Sequence, residues 1–275
     1  MKKMPKLGAF LLSGLVSLFT LATIGCTSPA RKAAEQAEHA KVQRALDVQE
    51  IQNVMSKHAY YSATGQHQRE LDELWTMTTQ GVSWGTDEGF WVDAKQVEDY
   101  YVRYFDTVRA RELAAFSKLH PEVKDVKENY GAGTSMFQTL STPVIEIAGD
   151  GQTAKGLWYS VGQVSQTPGG KQTPTYVWER YGVDFYKPNA DWKIWHFFVH
   201  RDWSGAPGQG WVSGPGGGPG GRGGAGEISD APVPEVRTAR DKNASPYAPP
   251  SEFLKVPQPY RTFSLTFSYG PPDNR

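Results

Sequence analysis

The sequence predicts an α+β domain in which helices pack against one face of a curved antiparallel sheet. In the first half of the chain, apolar residues recur at three- and four-residue steps, which indicates amphipathic helices. The second half contains four long runs rich in β-branched and aromatic residues, separated by turn sequences such as Asp150-Gly151. Helices followed by hairpin-connected strands are typical of an α+β fold.

The composition argues against nucleic-acid binding. The chain has 275 residues, of which 39% are hydrophobic, and this is enough for one domain with extensions. Lys and Arg together number 29, as do Asp and Glu, so the formal net charge is zero. No basic stripe is present to neutralise phosphates, and we therefore predict no nucleic-acid partner.

The N-terminus has the pattern of an export signal. A positive start, "MKKMPK", precedes the apolar run "LGAFLLSGLVSLFTLATIG" and then Cys26, the only cysteine. The position of Cys26 after "TIG" resembles a bacterial lipobox, with Thr23 where Leu is usual. We predict a signal segment at 1–25, a lipid on Cys26 and attachment to a membrane surface on the extracytoplasmic side of the envelope. An uncleaved anchor and plain secretion are the alternatives.

A polar spacer (26–45) leads into the first helix. Within "RALDVQEIQNVMSKHAYYSA" one stripe repeats at helical spacing, comprising Val48, Ile51, Met55, His58, Ala59 and Ser62. Gly65 is expected to end this helix, and Tyr61 lies at the edge of the stripe. "RELDELW" predicts a short second helix.

Two short strands are predicted in "GVSWGTDEGFWV", around a glycine-containing turn. Asp93 with Gln96 then forms a capping-box pattern. The helix behind it is expected to reach at least Val108. The polar segment 111–133 is interpreted as a partly helical insertion or lid.

The four long strands are predicted in "SMFQTLSTPVIEIAG", "TAKGLWYSVGQVSQ", "TYVWERYGVDFYK" and "WKIWHFFVHRDW". They complete a folded domain at 46–203. The extension 204–275 begins with a Gly/Pro-rich stretch that cannot bury enough surface to fold alone. Its apolar stretch "YRTFSLTFSYG" is expected to add a strand to this or another subunit.

From Leu46 to Trp203 the sequence resembles the nuclear transport factor 2-like superfamily, in particular its SnoaL-like and scytalone dehydratase-like branch. The resemblance lies in "IQNVMSKHAYYSATGQHQRELDELW", "VSWG", "GFWV", "PVIEIAGDGQTAKGLWY" and "VDFYKPNADWKIWHF". It implies a cone-shaped barrel with a hydrophobic cavity, no cofactor in most members, and a homodimer through the sheet. Such proteins include dehydratases, isomerases, cyclases and other lyases, beside non-catalytic binders.

The catalytic groups of scytalone-type dehydratases have no counterparts here. They fall on residues of different chemistry, namely Ser62, Ala63, Trp84, Thr139, Val164 and Gly182. A dehydratase mechanism that uses those groups is therefore not expected. One cavity-facing aromatic of that branch falls on His58, which favours an inward position for this histidine.

Alternation along the strands predicts the remaining site residues. His196 and His200 share a face of the last strand, and Asp184 would lie on the same side of the neighbouring strand, opposite Glu179. We predict catalytic roles for His58, His196, Asp184 and Tyr61. Substrate contacts are predicted for Arg180, Trp84, Trp178, Trp91 and Tyr101. Each of these residues could instead be an ordinary core or ion-pair residue.

The predicted function is a cofactor-independent lyase or isomerase. His58 or His196 would be the general base, and Arg180 would hold a developing negative charge. The ligand would be a small hydrophobic molecule, aromatic or polycyclic. The alternatives are a surface-tethered binding or assembly module without chemistry, and a structural envelope protein. No metal site is predicted, since His196 and His200 are about 13 Å apart along an extended strand.

Overall fold

The computed structural model describes residues 28–166, 173–207, 231–237 and 254–272. The chain divides into two compact units at Lys41/Val42, and the first unit contributes only the exposed N-terminal part of one helix to the described residues. All strands belong to the second unit. The predicted signal segment and Cys26 lie outside the described residues.

The helices occupy the first half of the chain, as predicted. They are α1 (Pro29–Thr64), α2 (His67–Leu74), α3 (Asp93–Glu98) and α4 (Phe105–Leu119), with a π-helical turn at Asp99–Tyr104 between the last two and 3₁₀ turns at Lys127–Asn129 and Phe263–Leu265. The predicted stripe of α1 is confirmed at Ile51, Met55 and His58, which are buried. Gly65 follows α1 with a φ of +72°, where the Arg109 guanidinium leaves no room for a Cβ.

One half of the predicted capping box is present. Asp93 Oδ1 accepts a hydrogen bond of 3.0 Å from the backbone N–H of Gln96, which is the N-terminal half of the motif. The side chain of Gln96 turns away and donates to Glu235 instead. The segment 111–133 is partly helical as expected, because α4 continues to Leu119 before a series of turns.

The strands form one open, curved sheet. They are β1 (Ser83–Thr86), β2 (Gly89–Val92), β3 (Ser135–Ile147), β4 (Thr153–Gln166), β5 (Thr173–Tyr186), β6 (Lys193–Gly205) and β7 (Val236–Arg237). Their order is β3-β4-β5-β6-β1-β2-β7, and all neighbours are antiparallel except β1 and β6. The α+β fold class is confirmed. The stretch "YRTFSLTFSYG" adds no strand to this sheet, because it is irregular with a 3₁₀ turn at Phe263–Leu265, and the edge strand β7 comes from Val236–Arg237 instead.

Both faces of the sheet are covered over part of their area. On the helix-facing side, Val183, Phe185 and Phe197 join the residues of α1 and α2 in one core. On the outer side lies an irregular segment, residues 254–272, which we call the C-terminal strap. Its Tyr269 ring packs on Gly182, where a Cβ would overlap the ring. Backbone N–H groups of Gly149 and Asp150 also donate to strap carbonyls.

An irregularity in β6 changes which residues share a face. The register with β5 shifts between the pairs Asp184–His196 and Phe185–Ile194. Ile194 therefore lies in the helix-facing core, while His196 points to the outer side under the strap. Strict alternation would place Ile194 and His196, two residues apart, on one face, and the register shift separates them.

Among the described residues, none of the helices combines the length and apolarity that crossing a bilayer requires.

Candidate functional site

A buried carboxylate organises the centre of the helix-facing side. Glu70 of α2 is fully buried, and its Oε1 lies 2.8 Å from His58 Nδ1. Trp75 Nε1 donates to the same oxygen at 3.2 Å, and the Tyr101 hydroxyl donates to Oε2 at 2.8 Å. Because a carboxylate only accepts hydrogen bonds, we assign the donor role in this contact to His58 Nδ1. In the tautomer with its proton on Nδ1, Nε2 is free to accept a proton.

Glu70 was not predicted from the sequence, although a signal was present. In α2 the residues His67, Glu70, Leu71 and Leu74 are all buried. They follow the three- and four-residue spacing of an apolar stripe, so Glu70 interrupts a core face. A carboxylate at such a position needs hydrogen-bond donors, and this could have identified it as a site residue.

A small cavity lies against His58. Its volume is about 10 Å³, and its lining comprises His58, Ala59, Ser62, Ala63, Met136, Gln138, Leu140 and Tyr181. This volume admits about one water molecule. The inward position of His58 is confirmed. The roomy hydrophobic cavity implied by the resemblance is absent from the described part of the chain, because the rings of Trp84, Tyr101 and Phe197 pack together inside the sheet.

Polar groups of the long strands surround the cavity-lining Tyr181. Its hydroxyl donates to Glu179 Oε2 at 3.2 Å, and Gln138 Nε2 donates to the same oxygen at 2.8 Å. Arg201 donates to Glu179 Oε1 from Nε at 2.9 Å and from Nη2 at 2.7 Å. Glu179 was expected to face outward, which is wrong, since its side chain is buried on the helix-facing side.

Burial changes the proton affinity of three groups here. The pKa values of Tyr101 and Tyr181 are raised well above the usual value by burial and then by the adjacent charges of Glu70 and Glu179, respectively. Both tyrosines therefore keep their protons at neutral pH. Burial, reinforced by the Arg109 charge, lowers the pKa of His67 to about 4. His67 is thus a neutral ring next to the site.

Two predicted catalytic residues lie on the other side of the sheet. Asp184 is fully buried and accepts hydrogen bonds from His196 Nδ1 at 2.9 Å and from Lys155 Nζ at 2.6 Å. The Ser268 hydroxyl and the Tyr269 N–H of the strap also donate to it. The prediction that Asp184 and His196 point into the cavity is wrong, because the inward face of β5 carries the odd-numbered residues.

The Lys155–Asp184 pair fixes the strap to the sheet. Aromatic rings of the strap surround the fully buried Lys155 ammonium, with Phe263 at 4.3 Å and Phe267 at 4.8 Å. Burial opposes the charge of Asp184, but the hydrogen bonds and charges of His196 and Lys155 outweigh it and lower the Asp184 pKa. Burial lowers the pKa of Lys155, and Asp184 offsets part of this.

Arg180, Trp178 and His200 are also on the outer side. Arg180 makes a bidentate ion pair with Asp202, and His200 Nδ1 lies 2.8 Å from Asp87 Oδ1. Trp178 is 40% exposed. The predicted contacts of Arg180 and Trp178 with a ligand in the cavity are therefore wrong.

The remaining predicted residues are near the site but do not line the cavity. The Tyr61 hydroxyl donates to Glu73 at 2.6 Å. Trp91 stacks on Tyr100 with ring centroids 3.7 Å apart, and its Nε1 donates to Pro232. Trp84 lies in the core, and Tyr101 acts through Glu70. Within the described ranges, no cluster of residues is suited to holding a metal ion.

Comparison with known proteins identifies the class. The family model of the SnoaL-like domain matches residues 43–197, more than half of the chain. The chain therefore belongs to the SnoaL-like domain family. No curated protein matches it.

Solved structures with a similar fold have little sequence in common with the chain. A type 2 hexachlorocyclohexane dehydrochlorinase, LinA, has 11% identity and a TM-score of 0.43 over 64% of this chain and 99% of its own. LinA type 3 from Novosphingobium barchaimii has 11% identity and a TM-score of 0.43, and the match covers 63% of this chain and 99% of its own. An NTF2-like protein from Novosphingobium aromaticivorans with a cystatin-like fold has 13% identity and a TM-score of 0.37. The match covers 64% of this chain and 92% of its own. All three TM-scores are below 0.5.

Proposed function

We propose that this protein is a cofactor-independent lyase or isomerase in which His58 is the general base. The supporting observation is the hydrogen bond that Nδ1 of His58 donates to Glu70, in an imidazole that lines the cavity. Glu70 holds the ring in one tautomer and stabilises the imidazolium that forms when Nε2 takes a proton. A well-placed general base contributes about 10²- to 10⁴-fold in rate.

The cavity lining indicates the kind of substrate. Ala59, Ala63, Met136 and Leu140 offer apolar surface, and Gln138 and Tyr181 offer polar groups. The substrate is therefore a small, largely apolar molecule with a polar group. A ligand larger than water requires the lining to open, and Met136 is suited to this because its side chain is unbranched and flexible.

The small cavity favours a second candidate function. The cavity volume of about 10 Å³ is far below the roughly 300–1,000 Å³ of ordinary small-molecule sites, which favours assembly or binding at the surface over chemistry inside. A non-catalytic binding or assembly module would leave any bound molecule chemically unchanged. His58 and Glu70 would then be a satisfied polar pair in the core.

One experiment distinguishes the two candidates. The domain without its signal segment is incubated with a panel of small aromatic and polycyclic compounds, thermal stabilisation identifies binders, and mass spectrometry detects a lost or moved group. We expect turnover of at least one binder, with a decrease of about 10²-fold or more in His58→Ala. The matched control is His120→Ala, at a half-exposed histidine of the surface. Binding without turnover, or equal turnover in both variants, would exclude His58 as the base.

We also propose that the protein is exported and lipid-anchored through Cys26, as its N-terminal sequence indicates. Expression with a labelled fatty acid should mark the parent protein and leave Cys26→Ser unlabelled. No label in the parent would refute the lipid anchor, and equal label in both would refute Cys26 as its site; either result leaves the folded domain's function untouched.

A further inference from the structure

Part of the outer side of the sheet carries exposed aromatic rings. Phe137 of β3, Tyr159 of β4, and Tyr176 and Trp178 of β5 are each at least 40% exposed. Gln163 of β4 pairs with Phe137 on one side and with Tyr176 on the other, and the other two rings follow at even steps along their strands. All four rings therefore lie on one face. We call these four residues the aromatic patch.

The strands around the aromatic patch carry little charge. Residues 135–145 of β3 and 156–166 of β4 contain no Asp, Glu, Lys, Arg or His. The exposed residues Thr139 and Ser141 share the outer face with the rings. The next outward residue of β5 after Trp178 is Arg180, whose side chain is almost fully buried and ion-paired with Asp202. The patch thus offers aromatic rings and hydroxyl groups to a partner, and no net charge.

The C-terminal strap restricts what can cover the aromatic patch. The strap lies on the same outer side, over Gly182 and Asp184 of β5, only four to six residues beyond Trp178. Two sheets that pack face to face lie about 10 Å apart with interdigitating side chains. A second sheet laid flat over β5 would meet the strap before its side chains reached the patch. A deformable partner does not meet this obstacle.

The composition of the aromatic patch fits a lipid interface. Trp and Tyr are enriched where a bilayer meets water, because each has an apolar ring and a polar group. An exposed cluster of rings is also a feature of membrane-contacting surfaces. The N-terminal sequence points to a membrane surface independently, through its apolar run and Cys26. These observations favour a bilayer over a rigid protein partner.

We propose that the aromatic patch is a lipid-binding surface that docks on the interface of a zwitterionic phospholipid bilayer. The four rings enter the headgroup region, and the hydroxyl groups of Thr139 and Ser141 remain among the headgroups. Burial of apolar surface drives the binding, so it should not weaken as the salt concentration rises. The inference goes beyond the proposed function, since it depends neither on His58 nor on a lipid attached to Cys26.

The first test is sedimentation with phosphatidylcholine vesicles. The chain from residue 28 onward lacks the apolar run and Cys26 but contains every described helix and strand, so binding cannot come from the anchor. We expect this chain to sediment with the vesicles equally at low and high salt. Trp178→Ala should weaken the binding by about tenfold, because it removes one buried ring. The control Tyr60→Ala removes an exposed ring from α1 and should match the parent.

The second test locates the face that contacts the lipid. Cys26 is the only cysteine, so Phe137→Cys in the chain from residue 28 onward provides a unique thiol for an environment-sensitive fluorophore. On vesicles the label at position 137 should shift its emission to the blue and become shielded from iodide in the solvent. The same label at Tyr60→Cys should remain open to iodide.

Three results would overturn the proposal. They are no sedimentation of the parent with vesicles, equal sedimentation of Trp178→Ala and the parent, and equal shielding of the labels at positions 60 and 137. A parent dimer that Trp178→Ala abolishes, with no vesicle binding, would assign the patch to a second copy and also refute the lipid surface. None of these results bears on His58 or Cys26, whose tests are separate.

Discussion

His67→Gln should make the protein less sensitive to acid. In the folded protein His67 is buried, and burial together with the Arg109 charge lowers its pKa from 6.5 to about 4. In the unfolded chain the ring titrates near its ordinary value. Between these two pH values the unfolded chain binds one more proton than the folded protein does. The free energy of unfolding therefore falls as the pH is lowered through this interval.

The size of the effect follows from the width of the interval. Each pH unit between the two pKa values costs about 1.4 kcal/mol, so the interval from 6.5 to about 4 amounts to roughly 3 kcal/mol. The glutamine of the variant would retain an oxygen that can accept the hydrogen bond now donated by Arg109 Nη2 to His67 Nε2. Any packing loss is the same at every pH and does not enter the slope.

Urea unfolding at about pH 7 and at about pH 4.5 measures this difference. On acidification the free energy of unfolding should fall by roughly 2 to 3 kcal/mol more in the parent than in His67→Gln. Contributions from other titrating groups are the same in the two proteins and cancel in this difference. His120→Gln, at a half-exposed position, should behave as the parent. An equal acid loss in His67→Gln and the parent would show that His67 titrates normally in the folded protein.

Three further substitutions test the site and the strap. Glu70→Gln should lower turnover by about 10²-fold or more, because it removes the carboxylate that orients His58; unchanged kcat with an unchanged pH profile would contradict this. Asp184→Asn should lower the free energy of unfolding in urea by about 3 to 5 kcal/mol, since Lys155 stays buried without its counter-charge. A loss under about 1 kcal/mol would mean that the pair is solvated. Gly182→Ala should loosen the C-terminal strap, whose tyrosine ring occupies the space of the new methyl group, and limited proteolysis should then cut the strap faster than in the parent. Equal cleavage rates would refute that contact.

The order of helices and strands could be predicted because it depends on local sequence. The stripe of α1 follows the helical period, and Gly65 ends it with a positive φ that favours glycine. The Asp150-Gly151 turn likewise has a positive φ at Gly151. These features act over a few residues, so they can be recognised without knowing the tertiary structure.

The inward face of the sheet could not be predicted, because both faces of β5 and β6 are buried over the stretch that carries Asp184 and His196. Asp184 and His196 are covered by the strap. The Ser268 hydroxyl, 72 residues further along the chain, lies 3.2 Å from His196 Nδ1. Alternation then no longer distinguishes the core from the outer side. The register shift in β6 also breaks the alternation of faces, so that Ile194 faces inward although His196, two residues later, faces outward. The strap itself was not predicted to cover this face.

The measurement that tests the account most directly is the protonation state of the two nitrogens of His58 in the ¹⁵N-labelled protein. Long-range ¹⁵N–¹H correlation spectra at about pH 8, where free histidine is neutral, identify the nitrogen that bears the proton. The hydrogen bond with Glu70 predicts a proton on Nδ1 of His58 and none on Nε2. The pattern of ¹⁵N–¹H correlations from the His58 ring should change in Glu70→Gln. A proton on Nε2 with Nδ1 bare would contradict the account, because no base would then face the cavity.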